Sequence, residues 1–184
     1  MAHTIVMVST SYPRFPGDTV GTFLEPIAQG IAARGHAVHV VLPWHPQVDR
    51  APVERGVHLH YFRYAPASLS VFGYAQGLRA DVHLKTTAYL AAPLASIAAI
   101  LKTRQVARRY GATILHGHWV IPGGVIAALA ASTTLPLVIS LHGSDVYVAE
   151  RYHFLGPVAR WAFSRASWVT ACSDDLRQRA IGLG

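Results

Sequence analysis

Two histidine-bearing segments stand directly after apolar runs and carry side chains suited to chemistry. In the second of them, His142 and Asp145 follow the run at 137–141. A histidine and an aspartate beside a glycine can orient substrate hydroxyls or move a proton near neutral pH. The structural alternative is that Asp145 caps the following segment and His142 bonds a backbone carbonyl. No G-x-S-x-G pattern occurs, so a Ser-His-Asp hydrolase gets little support.

The other segment holds His116 and His118, which a strand would place on the same face. Two histidines could begin a zinc site, and His142 would have to be the third ligand because the chain has one cysteine and dispersed carboxylates. Polar lining of a cleft is the favoured interpretation. We therefore expect no bound metal.

The loop at 9–21 is long for a connection between a strand and a helix, and Gly21 stands just before the predicted helix. A helix N-terminus offers unpaired N–H groups, and glycine lets an anion approach the backbone, so this loop could bind phosphate. The alternative is an ordinary turn. Neither G-x-G-x-x-G nor a Walker pattern is present, which disfavours a dinucleotide enzyme.

The elements that must position these residues alternate along the chain. Apolar runs predict strands at 5–8, 37–42, 57–64, 113–116, 137–141 and 168–171, and helical patterns lie at 22–34, 88–110, 123–132, 155–165 and after Ser173. This alternation predicts a doubly wound, Rossmann-like α/β domain with a parallel sheet between helices. Ligands bind beyond the carboxyl ends of such strands, so we expect the site in segments 9–21, 116–123 and 142–147, with Gly21 and His142 converging on one edge.

Composition limits the class of protein. The 184 residues are 52% hydrophobic, which suits one large folded domain rather than a disordered chain. The single Cys172 fits a reducing, cytoplasmic setting, and no export signal is evident. The longest apolar stretch, 88–101, is shorter than the roughly 20 residues of a membrane span.

The net charge of +7 suits an anionic partner, whether nucleic acid, a membrane surface or a phosphorylated ligand. A basic and aromatic region at 64–109 could contact an anionic membrane, although such a face is more often simply solvated. This region includes Phe72, Tyr74, Arg79, Lys85 and Tyr89. No nucleic-acid-binding motif accompanies the charge, so we expect no nucleic-acid partner.

Four stretches together resemble the N-terminal domain of glycosyltransferase family 4, which comprises retaining enzymes of the GT-B fold that use nucleotide-sugar donors. These stretches are SYPRFPGDTVGTF at 11–23, ARGHAVHVVLP at 33–43, LHGHWVIPGG at 115–124 and LHGSDVY at 141–147, with TACSDDL at 170–176 as a weaker fifth. The resemblance spans nearly the whole chain.

The resemblance implies roles for individual residues. The backbone amide of Gly21 would contact the donor diphosphate, and Gly17 would replace the adjacent glycine that many members have where this chain has Val20. His142 would be the catalytic residue that lies against the transferred sugar and orients a hydroxyl, without acting as a nucleophile. The acceptor cleft would be lined by Arg14, His118, Trp119 and Asp145.

The resemblance also implies an architecture and partners. Residues 1–184 would form a single acceptor-side domain, the N-terminal half of a GT-B fold, and the donor-binding domain would lie outside the chain. Transfer from the nucleotide-sugar to a glycan, lipid-linked or small-molecule acceptor would need no metal or other cofactor. We expect the isolated chain to be inactive, and the enzyme to be cytoplasmic or peripheral on the inner face of the membrane. The alternative is a non-catalytic module that docks to an anionic membrane or a partner protein.

Overall fold

A mostly parallel sheet of seven strands forms the centre of the chain. The computed structural model describes residues 1–70, 72–74 and 86–184, with the backbone alone for residues 86–90. The strands are β1 Thr4–Val8, β2 Ala37–Pro43, β3 Val53–Glu54, β4 Val57–Phe62, β5 Ile114–His118, β6 Leu137–Leu141 and β7 Trp168–Ala171. The α-helices are α1 Leu24–Ala32, α2 Thr86–Arg109, α3 Val125–Ala130, α4 Ser144–Arg151, α5 Leu155–Arg165 and α6 Asp174–Leu183.

The strand order is β3-β4-β2-β1-β5-β6-β7, and among the described strands only the β3–β4 pair is antiparallel. The chain leaves β1 toward β2 and β4, then returns to β1's other side as β5. This reversal makes a switch point between β1 and β5, where Val8 is level with Gly117. The doubly wound, Rossmann-like fold predicted from the sequence is confirmed.

Helices cover both faces of the sheet, each with its own apolar core. On one face, Leu24 and Ala28 of α1 pack against Met7, Val40 and other side chains of β1, β2 and β4. On the other face, α2 and α3 contribute to a larger core that also includes side chains of α4, α5 and α6. The central strands are therefore buried on both faces, which explains why β2 is a continuous apolar run interrupted only by His39.

The two edges of the sheet differ. β3 is two residues long, and its Glu54 forms an ion pair with Arg50, which also pairs with Glu25 of α1. At the opposite edge, β7 is four residues long, with the Trp168 side chain 69% exposed and Val169 also exposed.

Most predicted elements are confirmed, with bounds that differ by up to two residues at β4, β5, α1, α2 and α3, and two elements, α4 and β3, were missed. β5 continues to His118, two residues past the predicted end, and a short turn at Trp119–Gly124 then precedes α3. α4 begins at Ser144, within a segment predicted as a loop. The edge strand β3 was not predicted. In the part of the chain that the structure describes, no helix has the length and apolarity needed to cross a membrane.

Candidate active site

Three segments that follow three strands meet at the carboxyl edge of the sheet. Phe23 follows the loop after β1, Trp119 follows β5, and His142 follows β6. The ring of His142 lies 4.7 Å from that of Phe23 and 4.7 Å from that of Trp119, measured between centroids, and Phe23 and Trp119 are 5.6 Å apart. The structure thus brings together the loop that contains Gly21 and the segment that contains His142, as the strand pattern predicts.

Asp145 holds two of these segments together. Its side chain, 2% exposed, accepts hydrogen bonds from the backbone N–H groups of Val120 at 2.7 Å, Gly143 at 3.0 Å and His142 at 3.3 Å. Burial raises the pKa of Asp145, and these N–H groups lower it in part. Asp145 therefore ties the end of β6 to the turn after β5 and fixes the position of His142 beside Trp119.

The turn after β5 presents Trp119 in an uncommon backbone conformation. Trp119 has φ +60, which costs energy for a bulky L residue and is often found at functional sites. The turn packs tightly on the strand, because a Cβ at Gly123 would lie 2.1 Å from the carbonyl oxygen of His118. The glycine is required for this close approach, and the approach sets where the indole of Trp119 stands.

The histidines of this edge are paired in the interior. Nδ1 of His118 lies 3.0 Å from Nε2 of His142, and Nε2 of His116 lies 2.7 Å from the Ser140 hydroxyl, which in turn contacts Thr170. Burial lowers the pKa of His142 and of His116 to about 4 and lowers that of the fully buried His118 well below its usual range. Near neutral pH these rings are uncharged, so His142 can exchange hydrogen bonds but carries no positive charge.

The three histidines are not arranged around a common point that could hold a metal. His116 bonds to Ser140, whereas His118 faces His142. Across residues 1–70, 72–74 and 86–184, no group of three or more His, Cys, Asp or Glu residues could hold a metal ion.

The loop after β1 is held by a buried ion pair. The Arg14 guanidinium donates from Nε to Asp18 at 2.6 Å and from a second nitrogen at 3.1 Å, and its third nitrogen bonds to Gln47 at 2.8 Å. The hydrogen bonds from Arg14 hold the pKa of Asp18 far below its usual range. Arg14, predicted to line the acceptor cleft, thus has each guanidinium nitrogen bonded to Asp18 or Gln47 in this structure.

The two glycines of this loop have different surroundings. Gly21 has φ +64, and a Cβ there would lie 2.9 Å from the backbone nitrogen of Tyr12. Gly17 has φ +89, and a Cβ would meet nothing within 4 Å. α1 begins at Leu24, whose N–H donates to the carbonyl of Gly21, so Gly21 lies in the turn before the helix. The predicted diphosphate contacts of both glycines stay predictions.

Sequence reasoning missed some neighbours of the site and placed others where the structure buries them. Phe23 and Ser140 received no role, although Phe23 ends the motif at 11–23 and Ser140 stands two residues before His142 on the same strand face. His118 and Asp145, predicted to line the acceptor cleft, have fully buried side chains that contact other parts of the protein. Arg79 and Lys85 lie outside the described residues, as does the side chain of Tyr89.

Comparison with known proteins places this chain in a family. A family profile described as a glycosyl transferase 4-like domain matches residues 18–184. The N-acetyl-alpha-D-glucosaminyl L-malate synthase of Bacillus anthracis is 28% identical over 172 residues, which cover 91% of this chain and 39% of that protein. TuaC of Bacillus subtilis strain 168, assigned to teichuronic acid biosynthesis as a glycosyltransferase, is 38% identical over 87 residues, which cover 45% of this chain and 21% of that protein. The chain therefore spans well under half the length of either relative.

Proposed function

The chain belongs to the glycosyl transferase 4-like family, and from this membership we propose that it is the acceptor-side domain of a retaining, nucleotide-sugar-dependent glycosyltransferase. Residues 1–184 would form one domain, and a second domain would bind the donor nucleotide. The observation that supports this best is the convergence of Phe23, Trp119 and His142 at the switch point of the sheet, where doubly wound domains bind ligands.

In the proposed reaction the chain supplies backbone and imidazole hydrogen bonds. The turn at Gly21, next to the N-terminus of α1, would stabilise negative charge on the leaving diphosphate together with cations of the second domain, without a metal ion. His142 would orient a hydroxyl of the transferred sugar through a neutral ring. The rings of Trp119 and Phe23 would support the sugar's apolar face beside His142. A glycan, lipid-linked or small-molecule acceptor would enter from the same edge.

The experiment uses the full-length protein with a panel of nucleotide-sugars and acceptors, and determines the anomeric configuration of each product by NMR. His142→Ala is expected to lower kcat by about tenfold or more, because a hydrogen bond aimed at the reacting sugar is lost. His153→Ala, which removes an exposed histidine outside the site, is the matched control. The isolated chain is expected to show no turnover.

His142→Ala also leaves the buried Nδ1 of His118 without its partner, so the free energy of unfolding is measured on the same variants. A folded His142→Ala enzyme with an undiminished rate would remove His142 from the mechanism. Inversion of configuration, or robust turnover by the isolated chain, would overturn the retaining or the two-domain part of the proposal.

The outer face of α2 supports peripheral binding to the anionic inner face of a membrane as a second function. Leu94, Ile97 and Leu101 follow one another on this face and are 60%, 55% and 59% exposed. Arg104 and Arg108 continue the same helical stripe, and α2 contains no Asp or Glu. A row of exposed aliphatic side chains beside cations complements an anionic lipid surface. The aliphatic side chains can insert at the boundary of the acyl chains, and the cations can pair with the anionic headgroups.

We expect the chain to bind anionic vesicles, and the binding to fade as salt rises, because screening acts over roughly 8 Å at physiological ionic strength. Arg108→Gln should weaken binding about fivefold, since one cation near such a surface contributes about 1 kcal/mol. Arg34→Gln, which removes an exposed charge after α1 on the opposite face of the sheet, should have little effect. Equal binding to neutral and anionic vesicles would refute this function.

A further inference from the structure

The hydrogen bond between His118 and His142 determines where each ring carries its proton. Nδ1 of His118 and Nε2 of His142 are 3.0 Å apart, so one of them must donate and the other accept. The low pKa values of both rings mean that each carries a single ring proton near neutral pH. The choice of donor therefore fixes the tautomer of both histidines.

Two arrangements satisfy this contact. In the first, His118 donates from Nδ1, its Nε2 is an unprotonated acceptor, and His142 carries its own proton at Nδ1. In the second, His142 donates from Nε2, and His118 carries its proton at Nε2. The two arrangements present opposite groups to a ligand, because His142 offers a donor at Nδ1 in the first and an acceptor there in the second.

The environment of His118 favours the first of these two arrangements. Its side chain is fully buried, and Nε2 has no hydrogen-bond partner among the residues that the structure describes. The second arrangement would place an N–H at this position, and buried N–H groups without an acceptor are rarer in proteins than acceptors without a donor. The first arrangement leaves only a lone pair unpaired there.

We propose that His118 is a positioning residue that donates from Nδ1 to Nε2 of His142 and so holds His142 as the Nδ1–H tautomer. No described residue forms a hydrogen bond to Nδ1 of His142, whose ring contacts the rings of Phe23 and Trp119 at the edge of the site. Resting on the proposed function, this assigns His142 as a donor to an oxygen of the sugar, such as a hydroxyl or ring oxygen.

The test begins with the unmodified chain, labelled with ¹⁵N in its histidines. Two-bond and three-bond correlations between ring nitrogens and carbon-bound protons distinguish the two neutral tautomers. His118→Asn and His142→Ala chains assign the signals. At pH 7.5 we expect a protonated Nδ1 and an unprotonated Nε2 in both rings. A proton on Nε2 of either ring, or rapid averaging of the two tautomers in His142, would overturn the proposal.

Two substitutions at His118 then separate positioning from packing. The amide nitrogen of Asn occupies a place equivalent to Nδ1 and can donate, whereas Leu has no donor. His118→Asn should keep the Nδ1–H tautomer of His142, and His118→Leu should lose it. In the full-length enzyme, kcat/KM should fall about 2- to 10-fold further for Leu than for Asn, the effect of one neutral hydrogen bond.

The tautomer and the activity can fail separately. If NMR shows the proposed tautomers but His142→Ala does not change the rate of the full-length enzyme, positioning by His118 is upheld. The role of His142 in transfer is then refuted. If His118→Leu does not fold, the unmodified chain and His118→Asn still decide the tautomer. Loss of the Nδ1–H tautomer in His118→Asn as well as in His118→Leu would contradict donation from this position.

Discussion

Side chains around the site differ in whether their polar atoms form hydrogen bonds within the protein. Asp145 binds three backbone N–H groups, and Arg14 has its guanidinium nitrogens on Asp18 and Gln47. His142 keeps one ring nitrogen without a partner in the described structure, and its ring contacts two aromatic rings. At the scale of single residues, the chain therefore offers a ligand one imidazole and an aromatic surface, held in place by buried charges.

The two loop glycines provide a matched pair of substitutions. Gly17→Ala is expected to cost about 1–2 kcal/mol, because alanine at φ +89 is strained but meets no neighbour. Gly21→Ala should cost more, since its Cβ would also lie 2.9 Å from the Tyr12 backbone. The measurements are the free energy of unfolding of the chain and, under the proposed function, KM for a nucleotide-sugar donor in the full-length protein.

A rise in KM confined to Gly17→Ala would place the diphosphate at Gly17. If KM rises in both variants in proportion to their loss of stability, the substitutions act by displacing the loop instead. Equal stability of the two variants would contradict the close packing of Gly21 on Tyr12. The bulkier Gly21→Val would meet the same backbone contact before any ligand, so it is a poorer probe of donor binding.

The sequence predicts part of this site for a physical reason. Period-two geometry places His116 and His118 on one strand face, and their rings are 4.2 Å apart in the structure. The run ending at Leu141 likewise predicts His142 at the sheet edge. The contacts of Asp145 with Val120 and of Arg14 with Gln47 join residues 25 and 33 positions apart, and no local pattern encodes them.

At the scale of elements, the turn after β5 and the start of α4 act as one unit because Asp145 joins them. Asp145→Asn is expected to lower the free energy of unfolding by roughly 1–3 kcal/mol. Both carboxylate oxygens accept from buried backbone N–H groups, and an amide replaces one of these oxygens with an NH₂ group that cannot accept. For a chain of this size, each kcal/mol lowers the Tm by roughly 2–4 °C. Thermal and denaturant unfolding measure both quantities.

Asp174→Asn serves as the control for this substitution. Its carboxylate is 76% exposed and pairs with Arg177 on the surface, so its loss should change stability little. Equal stability of the Asp145→Asn and unmodified chains would show that the carboxylate is not needed to join the two segments. A loss of stability with His142 still beside Trp119 would restrict its role to folding.

Elements with strong local signals were predicted closely, and those fixed by tertiary contacts were not. β6, α5 and β7 have the predicted bounds, and Ser173 caps α6 by accepting from Leu176. The turn at Trp119–Gly124 depends on the close approach of Gly123 to the His118 carbonyl, which the sequence does not show. The two-residue β3 is defined by its antiparallel pairing with β4, and it is too short to give a pattern.

At the scale of the whole molecule, buried neutral histidines make stability depend on pH. Burial lowers the pKa of His39, His60, His116 and His142 to about 4, and lowers that of His118 well below its usual range. Below about pH 6.5 the unfolded chain binds protons that the folded chain does not, so stability falls until the folded values are reached. One such histidine lowers the free energy of unfolding by roughly 3 kcal/mol between pH 7 and pH 4.

Urea unfolding at pH 7.5, 6.0, 5.0 and 4.5 should therefore show a steady loss of stability that starts near pH 6.5. Asp18 and Glu54, whose pKa values are held low by Arg14 and Arg50, add a loss only as the pH falls below about 4.5. His39→Gln should reduce the slope of stability against pH between pH 6.5 and 5. A flat profile over this range would contradict the burial of neutral rings.

The exposed β7 edge gives the sheet an open end. The short β3 carries an ion-paired glutamate at the opposite edge, a feature that blocks further strand pairing. β7 has no such charge within its four residues, and in the described chain its outer N–H and C=O groups face no further strand. A strand from another molecule can therefore pair with this edge and extend the sheet. At high protein concentration, we expect such pairing to begin at Trp168–Ala171.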